Sequence, residues 1–173
     1  VADSRENAAR LKEARQIPHE IAKMLAEPAG QFERALDRFE RSGRCDPEAV
    51  LDCAGQYRLA IAYVESIVAS LEIEDHTDEF LRDEVLGGLI RDLDDARCAL
   101  EQAGDSGNWL PHEVLHLLYR RLLWTFRCEL GSFERKQFVN LSHEANKAMN
   151  LNSYIELMGG AYELEERADG VKA

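Results

Sequence analysis

From Val50 onward, apolar side chains recur at alternating steps of four and three: Val50, Ala54, Tyr57, Ile61, Val64, Val68 and Leu71. That spacing keeps one stripe of a helix apolar, and a seam of this length predicts a helix packed lengthwise against its neighbours at a shallow angle. Its start is spelled out as well. Asp46 can accept hydrogen bonds from the first free backbone amides, and Pro47 fits a first turn where no backbone donor is needed. Just upstream, Phe32, Leu36 and Phe39 share a face, and Gly43 follows as a C-terminal cap. Downstream, a helix opened by Thr77 carries the line Leu86, Leu89, Leu93, Ala96 and Leu100 and ends at Gly104.

The same reading extends to the rest of the chain. Asp3 with Glu6 forms a capping-box start for a first helix running to about Gln16, after which Pro18 predicts a break and Pro28 a stop. Residues 111 to 130 are apolar around most of the helical circumference, with Val114, Leu115, Leu117, Leu118, Leu122, Leu123, Trp124 and Phe126, so this segment is expected to be the central, most buried element. Ser132 opens a sixth helix with Phe138, Leu141, Ala145 and Met149, and Ser153 with Glu156 opens a last one. Residues 168–173 read as a frayed end. No alternating run of β-branched residues reads as a strand. The expectation is an all-α, single-domain antiparallel bundle of six to seven helices over residues 1–173, with the helices of residues 3–42 at its periphery.

Composition adds a globular character, 45% hydrophobic and 31% charged, and no run of about 18 apolar residues of the kind a membrane span requires. The first 30 residues are charged throughout and lack an apolar signal segment, so a cytoplasmic protein is expected. Cys45, Cys53, Cys98 and Cys128 form no C-x-x-C pair and read as reduced, mostly buried thiols. Charge changes the picture more. The net charge is −12, and residues 72–105 hold twelve acids against three bases, which leaves −9 of it in that one segment. Such a field repels nucleic-acid phosphates and anionic lipid, and it attracts a basic protein surface.

Three local motifs bear on chemistry. His112-Glu113-Val114-Leu115-His116 matches H-E-x-x-H, and over these five residues resembles zinc-dependent peptidases, implying His112 and His116 as ligands and Glu113 as general base. Yet Ile17-Pro18-His19-Glu20-Ile21 repeats the opening of Leu110-Pro111-His112-Glu113-Val114 without a second histidine, and proline followed by glutamate is helix-initiation chemistry. Phe138 to Glu144 resembles the phosphoacceptor box of sensor histidine kinases, implying phosphate transfer at His143 with Glu144 as its helper. It departs at the residues that follow, and no ATP-binding domain accompanies it. Cys128-Glu129-Leu130-Gly131-Ser132-Phe133 resembles the core of chemoreceptor zinc-binding domains, which would make Cys128 and His143 ligands, with Lys147 standing where that family places its last histidine.

The reading that follows is a non-enzymatic acidic helical protein, without cofactor, that binds a protein with a basic surface in the manner of regulatory, immunity, antitoxin or nucleic-acid-mimic proteins. Asp78, Glu79, Asp83, Asp92, Asp94 and Asp95 are its partner-binding residues, direct nucleic-acid and membrane binding are not expected, and a homodimer is compatible with the long seam. The alternatives are a phosphotransfer bundle using His143 and a zinc protein using His112, His116, Cys128 and His143.

Overall fold

The computed structural model describes residues 5–130, together with 148, 151–152, 155, 165–167 and 170–172. Two compact units divide the chain: residues 1–18 with 130–173, and residues 19–129. From Arg5 to Phe126 every regular element is helical: α1 Arg5–Ser42, α2 Pro47–Ser70, α3 His76–Phe80, a π-helical segment Leu81–Leu86, α4 Gly87–Asp105 and α5 His112–Phe126. Among the described residues, no helix is long and apolar enough to cross a membrane. Near the C-terminus, β1 Glu165–Arg167 pairs antiparallel with β2 Gly170–Lys172, with Glu166 opposite Val171. The sequence offered no strand pattern there. Most of the two helices expected beyond Ser132 lies outside the described residues, although positions 148, 151–152 and 155 are helical.

The N-terminal segment differs from expectation, because α1 is one helix of 38 residues that runs through both Pro18 and Pro28. A proline inside a helix removes the amide that would bond the carbonyl four residues earlier. For Pro28 that carbonyl belongs to Met24, and the Tyr63 hydroxyl of α2 donates to it at 2.7 Å. A side chain from a neighbouring helix thus supplies the donor that proline withholds. Far from lying at the periphery, the second half of α1 contributes Phe32, Ala35, Leu36 and Phe39 to the core.

That core, in the unit of residues 19–129, is organised around α2. Its seam is as the spacing predicts: Val50, Ala54, Tyr57, Ile61 and Val64 are buried, joined by Cys53 and Ala60. Asp46 is the N-cap, accepting from the Ala49 amide at 3.0 Å, and Pro47 occupies the first turn. Gly43, at φ 59°, closes α1 by donating its backbone N–H to the Phe39 carbonyl, a left-handed position that glycine adopts without Cβ strain. Tyr57 donates to the Leu118 carbonyl at 3.1 Å, pinning α2 to α5.

Helix α4 approaches α2 closely because residue 104 has no side chain. A Cβ there would stand 2.6 Å from Leu51 Cγ and 3.2 Å from the Pro47 carbonyl oxygen. Leu93 and Leu100 are buried on this face, with Leu86, Leu89 and Ala96 packed beside them. Gly104 therefore lies inside α4 and serves close packing; the chain turns at Gly107, at φ 74°.

Helix α5 is buried on one face only. Leu115, Tyr119, Leu122, Leu123 and Phe126 enter the core, whereas Leu117 and Trp124 stay 58% and 55% exposed. Its expected place as the most buried element therefore belongs to α2. Aromatic contacts fasten the inner face to α1: Phe126 meets Phe32 and Tyr119 stacks on Phe39, each with ring centroids 5.0 Å apart. On the outer face, the Arg120 guanidinium lies 4.2 Å from the Trp124 ring, shielding part of that apolar surface through a cation–π contact.

Candidate functional site

Within the acidic segment, the helix expected to open at Thr77 is capped two residues earlier. Asp75 is the N-cap of α3, and its carboxylate accepts from the amides of Thr77 at 2.7 Å and Asp78 at 3.2 Å. Asp78 reciprocates by accepting from the amides of Glu74 and Asp75, which completes a capping box. The amides of Thr77 and Asp78 hold the Asp75 carboxyl below the ordinary carboxylate range. Asp78 is thus committed to helix initiation.

The remaining acids divide according to whether a cation neutralises them. Arg82 grips its neighbour Asp83 at 2.6 Å and lowers its carboxyl. Arg97 bonds both Asp94, at 2.8 Å, and Glu101, and Arg58 of α2 reaches the same Glu101, so the Glu101 carboxyl is lowered first by Arg58 and then by Arg97. Arg121 of α5 approaches Asp92 at 3.9 Å. Among the described residues, Glu72, Glu74, Glu79, Glu84, Asp95 and Asp105 form no ion pair at all. Of the six partner-binding residues expected from the sequence, Glu79 and Asp95 form no ion pair, although Glu79 lies in the field of Arg82, and Asp78, Asp83, Asp92 and Asp94 are engaged internally.

Between these acids lies a feature that charge alone does not reveal. Residues Leu81–Leu86 form a π-helical turn, whose wider i→i+5 pattern is seen in the Gly87 amide bonding the Arg82 carbonyl. Phe80, Leu81 and Val85 sit on or beside it with exposures of 60%, 39% and 48%. Residues four and five apart stack in one row on a π turn, so these three side chains form a local apolar patch with Glu79 and Glu84 as chain neighbours. No spacing in the sequence discloses the turn, since Leu81, Val85 and Leu89 recur at the ordinary helical step of four.

The two histidines of the H-E-x-x-H stretch lie elsewhere, at the start of α5. His112 stacks on Phe39 of α1 with centroids 5.0 Å apart, and the His116 ring lies parallel to it at 6.0 Å. His116 Nε2 donates to Glu40 Oε1 at 2.9 Å. Both rings thus fasten α5 to α1. Among the described residues, no three His, Cys, Asp or Glu side chains converge to hold a metal ion. Cys128 is exposed beyond the end of α5, and His143 with Glu144 lies outside the described residues.

Comparison of the chain with protein-family models, curated proteins and solved structures gives no match. The functional reading therefore rests on this chain's own side chains.

Proposed function

We propose that this protein binds a partner protein bearing a basic surface, through the face that runs along α3, the π turn and α4. The observation that supports this reading is the pairing of an exposed apolar patch with solvent-facing carboxylates that form no ion pair. Glu79 and Glu84 adjoin Phe80, Leu81 and Val85, and Asp95 continues the charge along α4. Unpaired carboxylates project a field that speeds encounter with a cationic partner, and the apolar side chains supply area that is dehydrated on contact. Neither element suffices by itself. Carboxylates already held by Arg82 or Arg97 have little field left to offer, and a bare apolar patch would select no partner by charge.

The test uses the wild-type chain as bait against an extract of its native host, beside two variants. One reverses the free acids, Glu79→Lys, Glu84→Lys and Asp95→Lys; the other neutralises the paired ones, Asp83→Asn and Asp94→Asn. A specific partner should be captured by wild type and by the second variant, lost by the first, and released as salt is raised, because screening shortens the reach of exposed charges. Capture that is identical in all three at low salt removes the proposal.

A further inference from the structure

A cavity of about 290 Å³, open to solvent, lies between α1, α2 and α5. It is separate from the acidic face, and its walls are chemically divided. Ala35 and Phe39 of α1, Ala49 of α2 and the Tyr119 ring of α5 make an apolar side, while Arg38 of α1 and Asp52 and Gln56 of α2 bring polar groups to the same space. Asp52 and Gln56 stand one helical turn apart, so their side chains project from the same face of α2.

Three observations describe what the cavity lacks. Gln56 Oε1 is buried and accepts no hydrogen bond, in a setting where a buried acceptor is normally satisfied. Asp52 and Arg38 are both exposed at the cavity and, among the described residues, neither forms an ion pair. The other arginine there, Arg44, is occupied by Asp46 and Glu48. Two acceptors on α2 and one free cation on α1 therefore face a shared space without partners.

We infer that this cavity binds a small zwitterion of the free α-amino-acid class. The ligand's ammonium donates to the Asp52 carboxylate and to Gln56 Oε1, and its carboxylate receives the Arg38 guanidinium. A simple anion would leave Gln56 Oε1 unsatisfied and meet the charge of Asp52, and a simple cation would leave Arg38 unused and opposed. The size agrees, since the volume lies at the lower end of small-molecule pockets and is too small for a dinucleotide. Phe39 and Tyr119 both line the cavity and give the ligand's side chain an aromatic boundary.

The experiment is isothermal titration of the full chain with the free L-amino acids at millimolar concentration, and with the C-terminal amide and the N-acetyl form of any that bind. At least one free amino acid should bind. Its amide and its N-acetyl form should each bind about tenfold more weakly or worse, as expected when one charged hydrogen bond is removed. Asp52→Asn and Arg38→Gln change exposed side chains and leave the fold intact; each should weaken binding by a similar factor, and Arg38→Gln should no longer distinguish the acid from its amide. The inference is overturned if no free amino acid binds, or if binding ignores both substitutions. It is also overturned if Gln56→Leu raises the thermal midpoint and no ligand of the panel alters it, because the cavity then holds water alone.

Discussion

The bond between Tyr63 and the carbonyl left free by Pro28 gives a test of how α1 survives an interior proline. Tyr63→Phe removes only the hydroxyl that donates to Met24, and keeps the ring, which meets Phe126 edge to face at 5.5 Å. Burial, and then the nearby Glu27 carboxylate, push the Tyr63 hydroxyl above the ordinary tyrosine range, so its proton is retained at neutral pH. A hydrogen bond of this kind contributes about 1 kcal/mol net, and the partly exposed site favours the lower half of the usual range. Pro28→Ala restores the amide that a helix would use at this carbonyl, and relieves an interior proline that is disfavoured by about 3 kcal/mol relative to alanine, less what the buried ring loses in packing. In the Pro28→Ala background the hydroxyl then becomes a second, redundant donor. The double-mutant cycle should therefore show a coupling of ~0.5–1 kcal/mol, with Tyr63→Phe destabilising the protein that keeps Pro28 and leaving the Pro28→Ala protein nearly unchanged. Urea denaturation followed by far-UV circular dichroism measures all four proteins, and for a chain of this length about 1 kcal/mol corresponds to a thermal shift of ~2–4 °C. An equal loss from Tyr63→Phe in both backgrounds would refute the reasoning.

Three further predictions follow from packing and burial. Gly104→Ala should destabilise by about 1 kcal/mol net, the clash with Leu51 and the Pro47 carbonyl outweighing alanine's better helix propensity, and adding Leu51→Ala should reverse the sign in the same urea assay. A thiol-reactive probe should label exposed Cys98 and Cys128 at once, and Cys53 only in denaturant, because burial, and then Asp52, push its thiol up to about 12. The same shift has a pH signature: a folded pKa raised above the ordinary thiol value of 9.0 gives stability that is full below that pH and is lost as pH climbs towards about 12, with buried Tyr57 and Tyr119 shifted in the same direction. Urea midpoints should therefore fall between pH 9 and pH 11, and less steeply in Cys53→Ala when each variant is compared with its own value at pH 8.

What could be read in the chain beforehand was the local chemistry. The start of α2 at Asp46 and Pro47, the glycine end of α1 and the seam from Val50 to Val64 all follow from bonds and contacts within a few residues. The continuity of α1 did not, because the donor that permits it comes from Tyr63, 39 residues away. For the same reason α5 looked buried on all sides: its composition is apolar all round, but among the described residues one face packs on α1 and α2 while Leu117 and Trp124 stay exposed. At the acidic face the total charge was legible and its distribution was not. Whether Asp94 or Asp95 keeps its field depends on which of two consecutive carboxylates lies within reach of Arg97. The cavity required α1 to be set beside α2 before Arg38 faced Asp52 and Gln56, and α5 to bring Tyr119 to the same space.

The π turn at Leu81–Leu86 has one more consequence. A helix advances by about 100° per residue, so a single surplus residue sets everything before it out of phase with everything after it. Winding the same residues at regular α pitch would swing Phe80 through roughly that angle relative to Leu93 and Leu100, whereas deleting one residue, for instance Glu84, would remove the π turn and leave Phe80 facing as it does now. The inward row of α4 and the outward patch beside α3 are therefore geared through one joint, and a change of pitch there at constant length re-aims the patch while the interior residues stay seated.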